Sequence, residues 1–379
     1  MNPLDRIGAV VVKEFRHLFR DPRAMAIVLL MPVVQLLLFA YAISFDVSRL
    51  PTVVVDADRT PASREYLRDY VGSPLFEIIG YADSPTAVEA AFLRNEAEVG
   101  VIVPAGFGRT LAGGGQAQVG VLIDGSDPNS ARVAQAYTNA LSLLATQRVA
   151  VAWADSQGVD VTSLGGLEPR VRTWYNPERR SAIFLVPGLI VVILAIVTVQ
   201  QTAVSLVRER ELGTAEQLTV SPLRRGELML GKLLPWTVLA FVDVVVITAL
   251  AVWVFGVPFR GDPGVLAAGA ALFVFCCLGI GLVISAVAPS LDTANIAALL
   301  LTFLPSFLLS GFVFALNQIP VALQWLSMAF PARYMVTITR GVFLKGAGWA
   351  ELWPELVALG IYAVVALTAA SLLFSRRTR

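Results

Sequence analysis

Residues 182–206 read AIFLVPGLIVVILAIVTVQQTAVSL, an apolar run without a single acidic or basic residue. A helix needs about 20 mostly apolar residues to cross the hydrocarbon core of a bilayer, so this run predicts a membrane-spanning helix. The whole chain agrees, because 56% of its 379 residues are hydrophobic, only 15% are charged, and its mean hydropathy is +0.70. A soluble domain of this size is less apolar, and the composition therefore indicates an integral membrane protein.

Further apolar runs on both sides of this stretch predict six spans in total. These spans are 25–44, 182–206, 234–255, 265–288, 295–316 and 355–374. Pro32, Pro187 and Pro305 lie inside the runs and predict kinks, which membrane helices tolerate. The adjacent Cys276 and Cys277 are expected to be small buried hydrophobes. The first run has no convincing cleavage site and is interpreted as a retained anchor.

Basic residues are concentrated on one side of these spans. The N-terminal segment, the loop after the second span and the tail hold about thirteen Lys and Arg residues, against about four in the opposite short loops. The positive-inside rule then predicts that both termini are cytoplasmic and that residues 45–180 lie outside. Residues 375–379 form the expected cytoplasmic tail.

Residues 1–24 predict a cytoplasmic amphipathic helix at the membrane interface. Apolar side chains recur at three- and four-residue steps from Leu4 to Leu18, while Arg6, Lys13 and Arg16 fall on the other side of the helix. The alternative is a core-packing helix of a small cytoplasmic domain, but too few residues surround it to form one.

Residues 45–180 have the pattern of a folded α/β domain. Predicted strands at Thr52–Val55, Phe76–Tyr81, Val99–Val103 and Val119–Ile123 alternate with predicted helices at Pro61–Tyr70, Pro85–Asn95 and Asn129–Gln157. Thr60, Ser84 and Asp127 each precede a proline and are expected to cap a helix. The predicted fold class is a membrane α-helical protein with six transmembrane helices, arranged one plus five, and an inserted extracytoplasmic α/β domain.

The chain lacks the residue patterns of common catalytic and metal sites. Gly231-Lys232 is followed by Leu233, not by the Ser or Thr that a phosphate-binding loop requires, so it is not a phosphate-binding loop. The single histidine, His17, excludes a histidine metal cluster and argues against Ser/His/Asp catalysis. We therefore predict no catalytic, cofactor-binding or metal residue, and the net charge of +1 gives no sign of nucleic-acid binding.

The most informative polar stretch belongs to the predicted cytoplasmic loop 207–233. Residues 208–232 read RERELGTAEQLTVSPLRRGELMLGK. Leu212, Ala215 and Leu218 share one face of a short predicted helix, which Ser221-Pro222 ends. The alternative is an ordinary charged loop that satisfies the positive-inside rule. That alternative explains the arginines but not the ordered pattern.

Three groups of residues resemble the ABC-2 type permeases, in particular the subgroup with a large extracytoplasmic domain between the first two spans that occurs in bacterial drug-efflux exporters. The groups are Lys13-Glu14 with Arg20-Asp21-Pro22, then Trp174-Tyr175-Asn176-Pro177 with Val186-Pro187-Gly188, and the loop from Arg208 to Lys232. The resemblance implies that residues 317–350, with Pro320, Pro331, Tyr334 and Gly341, form outer re-entrant or interfacial helices.

The same resemblance implies that residues 209–221 carry a coupling helix that docks on a nucleotide-binding subunit. The implied contact residues are Glu209, Glu211, Gly213, Thr214, Glu216, Gln217, Leu218, Ser221 and Pro222. The implied partner is a separate ABC ATPase that binds ATP and Mg²⁺, whereas this chain binds no cofactor. Further expected partners are a second permease, identical or similar, a periplasmic adaptor and the lipid bilayer. The expected location is the inner membrane of a bacterium, and the expected substrate is amphipathic, drug-like or lipid-like.

Polar residues inside spans are costly and mark candidate sites. Asp243 lies near the middle of span three, where it serves either the translocation pathway or helix packing. Gln200 and Gln201 favour the pathway, and Asn295 is expected to bond across helices. Two other functions stay open: a receptor or scaffold that displays residues 45–180, and an ion-coupled secondary transporter. The latter should show inverted repeats, which the one-plus-five arrangement does not suggest.

Overall fold

Two units make up the fold, and they alternate along the chain. The computed structural model describes residues 3–20, 22–42, 47, 49–156, 174–178, 180–211 and 225–377. One unit contains Met1–Ser44 and Arg172–Arg379, and the other contains Phe45–Val171. The first unit is built from helices, and the second is built around a β-sheet.

The helices and strands have the following bounds. The helices are α1 Pro3–Arg20, α2 Pro22–Ala42, α3 Pro61–Val71, α4 Pro85–Leu93, α5 Phe107–Ala112, α6 Pro128–Ser156, α7 Ser181–Glu211, α8 Arg225–Trp253, α9 Pro263–Val287, α10 Leu291–Leu308, α11 Val321–Ser327, α12 Pro331–Arg340 and α13 Trp349–Arg377. The strands are β1 Leu50–Asp56, β2 Phe76–Tyr81, β3 Val99–Val103 and β4 Gly120–Ile123. Leu316–Gln318 forms a 3₁₀ turn, and Gly341–Lys345 forms a π turn.

Five helices in the described part of the chain are long and apolar enough to cross a membrane. These segments are Ser181–Ser205, Leu233–Trp253, Pro263–Val287, Leu291–Leu308 and Trp349–Leu373. A shorter apolar segment, Val28–Ala42, belongs to α2. The protein is therefore a mostly helical membrane protein.

The fifth predicted span, 295–316, differs from the structure at its end. Helix α10 stops at Leu308, because the chain turns at Ser310 and at Gly311, whose φ is +83°. The hydroxyl of Ser310 donates to the carbonyl of Ser306 and accepts from the amide of Phe312 at 3.2 Å. These local hydrogen bonds satisfy the end of the helix, so the apolar residues that follow leave the helical path.

Helix α7 occupies the centre of the helical unit. In its apolar segment 83% of the residues are buried, and the helix packs against α2, α8, α9, α10 and α12. Two glycines permit this close packing. A Cβ on Gly188 would lie 2.3 Å from the ring of the buried Phe312, and one on Gly281 of α9 would lie 2.7 Å from the Cβ of Thr202.

Helix α9 joins α7 to the last long helix. A Cβ on Gly279 would lie 2.7 Å from the Cβ of Ala366 in α13 and 3.0 Å from its backbone carbon. Gly279 and Gly281 thus allow α9 to pack closely against α13 and α7. Cys276 and Cys277 are free and buried in the same core, as expected.

Arg340, at the end of α12, connects three helical segments. Its guanidinium donates to the carbonyl oxygens of Gly311 and Phe312, both at 2.8 Å. It also lies 4.1 Å above the ring of Phe184, in the first turn of α7. Sequence reasoning counted this arginine with the basic residues of a short loop. The structure instead makes it a half-buried connection between α7, α12 and the turn after α10.

The second unit holds one four-stranded sheet in the order β2-β1-β3-β4. Strand β1 pairs in parallel with β2 and β3, and β4 is antiparallel to β3. Tyr66, Leu67 and Tyr70 of α3 pack on one face with Leu50, and Val88 of α4 packs on the other with Val53 and Val55. The strand order reverses direction between β1 and β3, as in doubly wound sheets.

Most predicted elements of this unit are present, with differences that have local causes. Helix α4 ends at Leu93, before the predicted Asn95, whose φ is +54°. Helix α5 was not predicted, because six residues show too little periodicity. Thr60 forms a capping box with Ser63. Ser84 occupies the N-cap position of α4 as predicted, but its hydroxyl bonds to Thr86 at 2.9 Å and makes no cap hydrogen bond.

Asp58 closes the crevice between the carboxyl ends of β1 and β3. Its carboxylate accepts the amides of Gly106 at 2.8 Å and Gly108 at 2.9 Å, and the hydroxyl of Thr60 at 2.5 Å. The Thr60 bond, followed by the backbone bonds, lowers the pKa of Asp58. This carboxylate therefore fills the position at which an anion would meet the backbone amides.

We predict that Gly279→Ala destabilises the protein by about 1–3 kcal/mol, because the added methyl group forces α9 and α13 apart. Gly360→Ala is the matched control on α13, since a Cβ there meets nothing within 4 Å. The control should leave stability unchanged or raise it by up to about 1 kcal/mol. Thermal unfolding in detergent measures both variants, and equal midpoints would contradict the close contact.

Candidate functional site

The predicted coupling loop is described only at its two ends. Helix α7 continues through Glu209 to Glu211, and α8 begins at Arg225. The predicted contact residues Gly213, Thr214, Glu216, Gln217, Leu218, Ser221 and Pro222 lie outside the described residues. What the structure shows is how the helices on either side of the loop are held.

The end of α7 is attached to the connection between α9 and α10. Arg210 donates to the carbonyl oxygens of Ser285 and Ala288, the latter at 3.4 Å. The carboxylate of Glu211 accepts the amide of Leu291, the first residue of α10, at 2.9 Å. A carboxylate at this position satisfies a free amide and interacts favourably with the helix dipole. One end of the loop is thus fixed to two other helices.

The beginning of α8 packs against α1. A Cβ on Gly231 would lie 2.6 Å from the Cβ of Val10 and 3.3 Å from the carbonyl oxygen of Ile7. Val10 is buried, whereas Phe19 of the same helix is 64% exposed. The helix predicted to lie at the membrane interface therefore also contacts the segment that follows the loop. Gly231 allows the two backbones to approach, because any larger residue would collide with α1.

Two of the three predicted pathway residues meet at a cavity between α2, α7 and α8. Asp243 is 3% exposed, and with Gln201 it lines a cavity of about 10 Å³. The other lining residues are Val28, Val197, Thr198, Trp236, Leu239 and Ala240. Within the described ranges, Asp243 has no cationic partner within 4.0 Å. A volume of this size accommodates about one water molecule.

The third predicted residue faces a different neighbour. Gln200 donates a hydrogen bond to Asn295 of α10, so the bond expected across helices is present. Gln200 and Gln201 therefore serve two different contacts of α7. Gln200 joins α7 to α10, and Gln201 lines the small cavity together with Asp243.

Sequence reasoning missed Thr198 and Trp236 as parts of this cavity. The signal was available, because Thr198 is three residues before Gln201 and Trp236 is seven residues before Asp243. Both spacings place the paired residues on one face of a helix. A polar helix face inside a membrane span is more informative than a single polar residue.

In the described part of the chain the notable features are contacts between helices, and no group of side chains has the arrangement of a catalytic site. No group of three His, Cys, Asp or Glu side chains among the described residues could hold a metal ion. The conspicuous features are a loop whose two ends are fixed to different helices and a small polar cavity between spans. Such an arrangement can transmit a displacement of the loop to the membrane helices.

Comparisons with known proteins agree on one family. Residues 23–372 match the family described as "ABC-2 family transporter protein". The chain is 30% identical to "Probable multidrug ABC transporter permease YbhS" of Escherichia coli (strain K12), over 90% of this chain and 89% of that protein. It is also 30% identical to "Probable multidrug ABC transporter permease YbhR" of the same organism, over 93% and 94%. "Inner membrane transport permease YhhJ" of Escherichia coli is 24% identical over 97% of both chains. The chain therefore belongs to the ABC-2 family of transporter proteins, as a permease.

Proposed function

We propose that this permease is the non-catalytic membrane subunit of a bacterial inner-membrane exporter, and that a separate ABC ATPase drives it. In this proposal α2 is the first of six spans, both termini are cytoplasmic, and residues 45–180 lie outside. The apolar segment Val28–Ala42 and the distribution of basic residues support this topology. ATP and Mg²⁺ bind to the partner, because this chain contains no phosphate-binding loop.

The observation that carries the proposal is the attachment of both loop ends. Glu211 bonds to the first amide of α10, and Gly231 brings α8 against α1. When the ATPase closes on ATP, it displaces residues 209–221 and thereby α7, α8 and their neighbours. The energy must come from the partner, since a ligand that binds both states equally shifts neither.

The substrate in this proposal is an amphipathic, drug-like or lipid-like molecule. Two relatives carry names that describe multidrug permeases, which supports this class. The cavity beside Asp243 and Gln201 has room for about one water molecule and for no substrate, so the support that it gives is the polar side chain of Asp243 within an apolar surround, which a cationic amphipathic substrate would contact when the helices separate. Asp243 thus serves the pathway rather than helix packing alone.

The translocation pathway in this proposal needs a second permease, either another copy or a similar chain. Helix α10 supports this requirement, because only 22% of its residues are buried within the chain. Its large exposed side chains include Ile296, Leu299, Leu300, Leu301 and Leu304. The unit at residues 45–171 is the candidate contact for a periplasmic adaptor. A scaffold or an ion-coupled transporter would leave the attached loop without a role.

We predict that replacing residues 209–221 with a Gly/Ser linker abolishes co-purification of a P-loop ATPase with the solubilised chain. Glu216→Arg and Gly213→Pro should keep membrane insertion and stability but reduce export by about tenfold or more, a loss equivalent to about 1.4 kcal/mol of coupling. Pull-down after cross-linking, followed by mass spectrometry, measures the first effect. An ATPase that remains bound to the linker variant would place its docking site elsewhere.

We predict that Gly231→Ala reduces export about fivefold or more while the ATPase still binds, because the added methyl group separates α8 from α1. Gly8→Ala is the matched control, since a Cβ on that α1 residue meets nothing within 4 Å. Export from membrane vesicles and ATPase co-purification are measured on the same preparations. Normal export by Gly231→Ala would show that this contact does not transmit motion.

We predict that Asp243→Asn reduces export of cationic amphiphiles about tenfold and leaves export of neutral ones unchanged, because the substitution removes the charge but retains the shape. Thermal unfolding separates this result from a packing defect. A lower unfolding midpoint with uniform loss of export for all substrates would instead assign Asp243 to helix packing.

A further inference from the structure

An open groove of about 500 Å³ lies at the carboxyl ends of β1 and β2 in the α/β unit. Asp56 ends β1, Tyr81 ends β2, and α3 forms the opposite wall. Leu67 and Val71 of α3 contribute apolar surface. None of its lining residues belongs to the predicted coupling loop or lines the membrane cavity, and the proposed transport function does not use it.

The groove carries a net positive charge, because more arginines than aspartates line it. Arg59, Arg64 and Arg68 line it, together with two aspartates. The carboxylate of Asp56 is engaged in hydrogen bonds within the unit. It accepts the amides of residues 58 and 59 at 3.1 and 2.9 Å and the hydroxyl of Ser63 at 2.9 Å. Asp83 is 99% exposed and lies 3.7 Å from Arg59. An exposed ion pair of this kind contributes little to stability.

Two of these arginines have no carboxylate within salt-bridge distance in the described part of the chain. Arg64 and Arg68 are four residues apart on α3, a spacing at which like charges destabilise a helix. The acidic Asp69 of the same helix is already paired with Arg148 of α6. Helix α3 therefore carries a pair of cations that its own fold leaves without a counter-ion.

The position of the groove in the sheet is also significant. In doubly wound sheets, ligands bind beyond the carboxyl ends of the strands, near the point at which the strand order reverses. Here the order reverses between β1 and β3. Asp58, which bonds to the amides of Gly106 and Gly108, closes the crevice at that point. The groove at the ends of β1 and β2 lies on the other side of β1 and is open.

We propose that this groove binds an amphipathic anion. Its phosphate or carboxylate group contacts the guanidinium groups of Arg64 and Arg68, which match the geometry of such oxyanions. Its apolar part lies against Val71 and Tyr81, which are 57% and 69% exposed. The apolar surface and the cations line the same groove, so a purely polar anion such as inorganic phosphate would bind more weakly.

The same chemistry has two sources, a soluble amphipathic phosphate and the headgroup of an anionic lipid. The test uses the full chain in nanodiscs of phosphatidylcholine, titrated with short-chain dihexanoyl phosphatidate or with inorganic phosphate. A second arm uses nanodiscs that contain phosphatidylglycerol and no added ligand. Hydrogen exchange of the peptide 59–71 reports occupation of the groove in both arms.

The decisive variant is Arg64→Gln with Arg68→Gln. Arg94→Gln with Arg109→Gln is the matched control, because it removes the same charge from the same unit at residues that do not line the groove. Arg64→Lys with Arg68→Lys retains the charge but not the planar donor groups. Thermal unfolding of all variants shows whether the unit is folded.

We expect protection of α3 by phosphatidate, loss of affinity by about tenfold or more in the Gln variant, an intermediate affinity in the Lys variant and no change in the control. Protection in the phosphatidylglycerol nanodiscs alone would identify a lipid headgroup as the source, whereas protection by phosphatidate alone would identify a soluble anion. Absence of protection in both arms, or equal protection in the Gln variant, would overturn the proposal.

Discussion

The burial of α7 is the constraint on which the helical unit depends. Between lipid-facing helices there is no hydrophobic driving force, so association relies on close van der Waals contact at small residues and on hydrogen bonds. The ring of Phe312 packs directly against Gly188, and Thr202 packs directly against Gly281 of α9. Gln200 adds a hydrogen bond to α10. Because these contacts are distributed along the whole helix, α7 cannot tilt without moving the helices around it.

This constraint supports the proposed coupling role of the loop between α7 and α8. The loop begins where α7 ends, and Glu211 joins that end to α10. It continues into α8, which is packed against α1 through Gly231. In the proposed mechanism, a displacement of the loop reaches the protein along two routes, one through the most buried helix and one through the N-terminal helix. A freely hanging charged loop would offer neither route.

The sequence was sufficient wherever one local pattern determines the structure, and insufficient where distant segments meet. Long apolar runs revealed the spans in 182–206 and its neighbours, and Thr60 revealed the start of α3. The end of α10 was misjudged, because a serine and a glycine turn the chain within apolar sequence. Asp243 stood out as a costly polar residue, but its neighbour Gln201 comes from another helix. The basic groove needed the sheet topology, since its residues belong to α3 and to the end of β2.

Arg340 gives the end of α7 opposite the loop a distinctive chemistry. The guanidinium is bonded to two backbone carbonyls and an aromatic ring, and none of these groups titrates. A salt bridge at the same place would weaken when its carboxylate took up a proton, and an exposed one would weaken with salt. The connection between α7, α12 and the turn after α10 is therefore insensitive to the acidity and ionic strength of the medium at that end. When the pH or the salt concentration changes at that end, the contacts of Arg340 with these segments are retained.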